Sequence, residues 1–151
     1  MGSQRRRIVW ILVGAAVAIA GGSVAWGLVT TANMVALADE FSPPPGSAKT
    51  GERVTQPTPL CWGGSPCPSV FRSWDSSEAV DNSVLADLIK QSGWNLRQEG
   101  DCGPGDEVRT SGLVCSASGL VDGFLATVHV VAPRTGQSKG TLSLDLSSVV
   151  P

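Results

Sequence analysis

The chain opens with a short basic stretch and then a long apolar run. Residues 8–38 contain no charged side chain. The densest part, residues 8–29, has about the 20 residues that a helix needs to cross hydrocarbon. The pattern therefore predicts a transmembrane helix at residues 8–31, after a short cytoplasmic tail at residues 1–7. Because basic residues stay on the cytoplasmic side, Arg5, Arg6 and Arg7 predict that the rest of the chain lies outside.

A signal peptide that ends at Ala38 is the alternative for this segment. Ala36-Leu37-Ala38 before Asp39 fits a small-x-small cleavage site. The apolar run is longer than the roughly 7 to 15 residues of a usual signal peptide, which favours a retained anchor. Both interpretations export the remainder of the chain.

A proline-rich segment follows the apolar run. Residues 41–59 hold five of the ten prolines and few large apolar side chains. Such a segment buries too little surface to offset the entropy of ordering, so it is typical of an extended, solvated tether. We therefore expect an extracytoplasmic linker at residues 32–60 and an extracytoplasmic domain at residues 61–151.

Alternation of apolar and polar residues in the domain predicts strands at residues 69–74, 94–99, 108–118, 124–131 and 142–146. Between the first two strands, apolar residues recur at helical spacing: Val80, Val84, Leu85, Leu88 and Ile89. This order predicts an α+β fold, a two-layer sandwich with one helix on an antiparallel sheet of about four to five strands. A small β-barrel with the helix plugging one end is the alternative.

Local signals mark the ends of these elements. Ser76 or Ser77 is the candidate N-cap of the helix, which is expected over residues 77–91, and Gly93 is its stop signal. The sequence GLVDG at residues 119–123 predicts a turn between two strands.

The four cysteines, Cys61, Cys67, Cys102 and Cys115, all follow the apolar run. An even number of exported thiols predicts two disulfides, for which three pairings exist. We favour Cys61 with Cys67 and Cys102 with Cys115, because local loops close most easily. A thioredoxin-like redox site and a structural zinc site both need closer spacing within each pair, so both are disfavoured.

No catalytic, cofactor-binding or metal-binding residue is predicted. The one histidine, His129, lies on the more polar side of its strand, without a nucleophile motif to serve. Asp101, Asp106 and Glu107 surround a Gly-Pro-Gly loop, but they lack the alternating oxygen ligands of a calcium-binding loop. A solvated turn is the better interpretation of that loop.

Two groups of residues are candidates for contacts with other molecules. Gly14, Ala18 and Gly22 recur every four residues along the apolar run, which would let a second helix approach closely. In the domain, Trp62 and Trp74 are the candidate contacts for a ligand or partner. Burial in the core is the alternative for both tryptophans.

Charge and composition narrow the function. All 13 acidic residues follow the apolar run, so the exported part has a net negative charge that argues against nucleic-acid binding. The Ala, Gly and Val content is similar to that of small bacterial envelope proteins. We expect a membrane-anchored, non-catalytic accessory or interaction protein of the cell envelope, in contact with the bilayer and with another envelope protein. The alternatives are a tethered module that binds an envelope glycan or small ligand and, less favoured, a thiol-disulfide oxidoreductase.

Overall fold

The computed structural model describes residues 25–56, 67–76, 80–100, 102, 113–131 and 140–149. Helix α1 covers residues 25–40. The later elements are β1 (Ala48–Thr55), β2 (Ser69–Ser76), α2 (Asn82–Gln91), β3 (Arg97–Gly100), β4 (Leu113–Val121), β5 (Phe124–Val131) and β6 (Gly140–Ser148). The strands of these described segments form one antiparallel sheet in the order β1-β2-β6-β5-β4-β3.

One side of the sheet forms the core. Alternate residues of the inner strands are buried on this side: Val70 and Trp74 of β2, Leu142, Leu144 and Leu146 of β6, Ala126, Val128 and Val130 of β5, and Cys115 and Ala117 of β4. Both helices contribute to the same hydrophobic cluster, α1 through Met34, Leu37 and Ala38, and α2 through Leu85, Leu88 and Ile89. The expected apolar side of β5 is confirmed.

Helix α2 begins later than expected. Asp81 is its N-cap, and its carboxylate accepts a hydrogen bond from the backbone N–H of Val84 at 2.8 Å. Ser76 is buried at the end of β2, so its expected role as a cap is wrong. Ser77 lies outside the described residues.

The end of α2 brings an aromatic residue into the core. Gly93 adopts a φ of 70°, and its N–H donates to the carbonyl of Lys90, while the N–H of Trp94 donates to the carbonyl of Ile89. This is the Schellman arrangement, in which glycine reverses the chain at low steric cost. It places the buried ring of Trp94 5.5 Å from the ring of Phe41, and it confirms Gly93 as the stop signal.

A hairpin turn and a disulfide constrain β4. Asp122 and Gly123 have φ values of 50° and 83°, as a two-residue type I′ hairpin turn requires, and they confirm the expected turn between β4 and β5. A disulfide joins Cys102 to Cys115 with a Cα–Cα distance of 5.1 Å, the pairing that the sequence favours. Cys67 is also disulfide-bonded.

The expected fold class, a two-layer sandwich of one helix on four to five strands, is wrong. The described segments contain a six-stranded sheet and a second helix. Residues 48–55, expected within the linker, form β1 and pair antiparallel with β2. Their side chains are mostly exposed, so this edge strand lacks the alternation that marks a half-buried strand. The expected barrel is also absent, since β1 and β3 are the two open edges of the described sheet.

The expected transmembrane helix is not found. Residues 8–24 of the expected span lie outside the described residues, and residues 25–40 form α1, whose Met34, Leu37 and Ala38 pack in the core. In the part of the chain that the structure describes, neither helix combines the length and the apolar character that a membrane crossing requires. An apolar run by itself does not distinguish a membrane helix from a core helix. The C-terminal part of this run, α1, packs one side in the core.

A buried arginine connects α1, β1 and β2. The side chain of Arg72 is 9% exposed, and it donates to Asp39 at the end of α1 at 2.6 Å and to Glu52 of β1 at 2.8 Å. Lys49, and after it Arg72, lowers the pKa of Glu52 below its ordinary value of 4.5. Because the folded pKa is lowered, this group stabilises the fold above pH 4.5, and the contribution is lost as the pH falls through the folded pKa.

The burial of α1 predicts that Met34→Ala lowers the free energy of unfolding by about 2 to 5 kcal/mol, because it removes a fully buried side chain and leaves a cavity. Asn33→Ala, at an exposed position of the same helix turn, is the matched control and should change stability by less than about 0.5 kcal/mol. Urea denaturation of the two variants measures both effects. Equal stabilities would show that α1 is not part of the cooperative core.

The ion pairs of Arg72 predict an order of stabilities. Arg72→Met should cost about 1 to 3 kcal/mol, because it removes charge-assisted hydrogen bonds but leaves carboxylates that water reaches. The double variant Asp39→Ala/Glu52→Ala should be less stable still, since it leaves the guanidinium buried without a counter-ion. Urea midpoints at neutral pH give the order, and a double variant more stable than Arg72→Met would contradict this account.

Candidate functional site

The side of the sheet that faces away from the hydrophobic core is the candidate site. Ser69, Phe71, Ser73 and Asp75 of β2 lie on it, between the buried residues of the same strand. We call this surface the open face, meaning these four residues and those in the same cross-strand rows of the neighbouring strands. It is mainly polar, with Phe71 36%, Leu125 41% and Leu120 64% exposed.

One cross-strand row passes through the centre of the open face. Arg53 of β1 pairs with Phe71 of β2, Phe71 with Asp145 of β6, Asp145 with Thr127 of β5, and Thr127 with Ser118 of β4. Directly paired residues on one face of a sheet have Cβ atoms about 5 Å apart. The row therefore places an aromatic ring between a cation and a carboxyl group.

A depression of about 440 Å³ lies along this row. We call it the Phe71 groove, and the residues that line it are Gly51, Glu52, Arg53, Thr55, Ser69, Phe71 and Asp145. Its volume falls in the usual range of small-molecule sites, about 300 to 1,000 Å³. The groove combines one aromatic wall with hydroxyl and charged groups.

Asp145 is the groove residue whose pKa is raised. Burial raises its pKa above the ordinary value of 3.8, and the charge of His129 opposes this rise. The two side chains are diagonal neighbours on the open face, since Asp145 pairs with Thr127 and His129 pairs with Ser143. A carboxyl group that is partly dehydrated is a strong hydrogen-bonding group for whatever molecule contacts it.

His129 does not have the geometry of a catalytic base. Ser143 and Ser116 flank it in its row, but its Nδ1 atom is buried without a hydrogen-bond partner. Among the described residues, the ion pairs are those of Arg72 and Lys49, so His129 and Asp145 do not form one. A catalytic triad needs a histidine oriented by a hydrogen bond to its acid, which this arrangement lacks.

The other residues predicted from the sequence fall into two groups. Trp74 is 5% exposed, and its ring lies 5.6 Å from that of Phe41, so it belongs to the core and is not presented to a ligand. Gly14, Ala18, Gly22, Cys61 and Trp62, and the acidic residues Asp101, Asp106 and Glu107, lie outside the described residues. No group of three potential metal ligands occurs in the described segments.

The sequence pattern does not mark Arg53, Phe71 or Asp145 as site residues, although Phe71 is one of the aromatic residues that favour an interaction role. Arg53 lies in the segment expected to be a linker, so the sequence does not predict its place in a sheet. The alternation around Phe71 and Asp145 predicts two strands, but the sequence of one strand does not state which residue of another strand lies opposite. Only the register of β1, β2 and β6 brings the three together.

Comparison with known proteins gives no relationship for this chain: no protein-family model, no curated protein and no solved structure matches it.

The raised pKa of Asp145 predicts a pH-dependent effect of Asp145→Asn. Since the folded state holds this proton more tightly, parent stability falls as the pH rises from 3.8 through the folded pKa of Asp145. The asparagine variant lacks this loss, so its urea midpoint should exceed that of the parent at neutral pH and match it below pH 3.8. Asp87→Asn, on the exposed side of α2, controls for the loss of one charge. A neutral-pH midpoint lower than that of the parent would contradict the prediction.

Proposed function

We propose that this chain is an exported, non-catalytic binding protein of the bacterial cell envelope, with its sheet domain on the outer side of the cell membrane. The observation that carries the proposal is the two-sided sheet. One side is covered by both helices, whereas the open face leaves Phe71, Leu120 and Leu125 exposed among polar residues. Leu120 and Leu125 are directly paired on this face, and adjoining exposed apolar side chains rimmed by polar residues are typical of contact surfaces.

The cysteines support the outer location. Cys102 and Cys115 form a disulfide, and Cys67 is also disulfide-bonded. Disulfides persist in oxidising compartments and are rare in the cytosol. The uncharged segment that follows Arg5, Arg6 and Arg7 is the sequence feature that would direct export.

The folded domain supports the retention of residues up to Ala38. Cleavage after Ala38 would remove Met34, Leu37 and Ala38, which are 0%, 5% and 0% exposed in the core. It would also leave Asp39, the partner of Arg72, at the new N-terminus. The mature protein of this proposal therefore keeps α1 and the segment that precedes it.

A non-catalytic role is supported by the chemistry of the open face. Its histidine lacks an orienting hydrogen bond, and its carboxyl groups are not arranged as an acid–base pair within the described residues. The role we favour is that of an accessory protein that docks on another envelope protein through the open face.

The test is purification of the tagged full-length protein from its native membrane in mild detergent, with mass spectrometry of its N-terminus and of the proteins that accompany it. We expect an N-terminus upstream of Met34 and a partner in stoichiometric amount. Leu125→Glu should abolish co-purification of the partner, because it places a charge at an exposed apolar position of the open face. Gln91→Glu, an exposed position on α2, is the matched control and should retain the partner.

Two results would overturn the proposal. The first is an N-terminus at Asp39, which would remove part of the core. The second is a protein that purifies without a partner or that keeps its partner after Leu125→Glu, with an unchanged circular dichroism spectrum showing that the variant is folded.

A further inference from the structure

The Phe71 groove has chemical groups that the fold itself does not use. Glu52, on its rim, is engaged by Lys49 and Arg72. By contrast, the side chains of Arg53 and Asp145 form neither an ion pair nor a hydrogen bond with any described residue. A cation and a half-buried carboxyl group in one cross-strand row of the sheet, neither of them paired with a described side chain, are available to a ligand.

The spacing of these groups sets the size of that ligand. Arg53 and Asp145 lie on strands β1 and β6, with β2 between them. Neighbouring strands are about 4.8 Å apart, so the two backbones are separated by about 10 Å. The ring of Phe71 lies between them in the same row. A flat ligand group stacked on this ring would therefore place the polar substituents at its edges within reach of both charged side chains.

Small residues keep the groove open beside the ring. Gly51 forms part of its lining, and a Cβ atom at this position would lie 2.6 Å from Ser73 Oγ. A larger residue at position 51 would therefore require the Ser73 hydroxyl to move. Thr55 and Ser69 contribute hydroxyl groups from the other end of the groove.

We propose that the Phe71 groove binds a neutral saccharide, with one sugar ring stacked on Phe71 and its hydroxyl groups bridging Arg53 and Asp145. Sugar hydroxyls donate and accept hydrogen bonds, so a single neutral ring satisfies a guanidinium donor, a carboxylate acceptor and the hydroxyls of Thr55 and Ser69. The aromatic wall binds the apolar face of the ring. This inference goes beyond the proposed function, because it assigns a saccharide site to one part of the open face in addition to docking on a protein.

A peptide fits the groove less well. An extended peptide satisfies its backbone by adding to a sheet edge, but the groove lies on the sheet face, where the backbone groups of β2 and β6 are already paired with neighbouring strands. Its lining offers one aromatic wall and no enclosed apolar pocket for a side chain. Peptide binding is therefore the competing outcome in the test.

The experiment is a titration of the full-length protein, labelled with ¹⁵N and held in lauryldimethylamine oxide, a detergent without a sugar headgroup. The probes are neutral tetrasaccharides of glucose, mannose and N-acetylglucosamine, with tetraalanine as the peptide probe. We expect at least one saccharide to shift the backbone amide signals of residues 51–55, 69–71 and 145 at millimolar concentration. The peptide should shift none of them.

Variants locate the binding. Phe71→Ala should raise the dissociation constant of the active saccharide about tenfold or more, and Arg53→Gln should raise it as well. Leu120→Ala removes a more exposed apolar side chain from the same face but outside the groove, and it should leave the constant unchanged. Thermal unfolding of each variant verifies that it is folded.

The saccharide assignment is overturned if no tetrasaccharide shifts the groove signals, if folded Phe71→Ala binds like the parent, or if tetraalanine binds there instead. These results leave the proposed function intact as long as the partner co-purifies and is lost after Leu125→Glu. Conversely, saccharide binding by a protein that purifies without a partner supports the groove and overturns the docking role.

Discussion

The rest of the structure depends on Arg72, a cation on the core side of the sheet. A buried guanidinium costs much free energy unless carboxylates pair with it, and here the two carboxylates come from different elements. Asp39 ends α1 and Glu52 lies in the edge strand β1. Both elements supply a counter-ion to Arg72 of β2. The position of α1 over the sheet and the register of β1 on β2 are therefore specified together.

That register also creates the candidate site. Because side chains alternate along a strand, fixing Arg72 and Trp74 toward the core directs Phe71 and Ser73 to the open face. A shift of one residue would exchange the two sets. The pairing of Arg53 with Phe71 and of Phe71 with Asp145 therefore follows from the packing on the opposite side. The groove is rigid for the same reason that the core is.

The sequence predicts the elements whose local pattern is strong. β5 alternates so regularly that its bounds and its buried side follow directly, and α2 and the Asp122-Gly123 turn have clear periodicity and turn chemistry. It does not predict β1, because an exposed edge strand alternates weakly. The apolar residues of α1 are consistent with a membrane helix and with a core helix, and only their packing in the hydrophobic cluster distinguishes the two. Trp74 is a candidate contact residue from the sequence because it is a tryptophan. The alternation of side chains along β2 buries Trp74 in the core and exposes Phe71 instead.

The polar groups of the open face have the properties expected of groups that bind another molecule. In a catalytic triad the histidine is oriented by a hydrogen bond to its acid, and among the described residues nothing holds His129 Nδ1. A binding group, in contrast, must be available until the ligand arrives, as Arg53 and Asp145 are. The partial burial that raises the pKa of Asp145 strengthens the hydrogen bonds that it forms with a ligand, since water competes less for them. An exposed cation and a half-buried carboxyl group beside an aromatic ring, neither paired with a described side chain, are therefore available to hydrogen-bond a ligand.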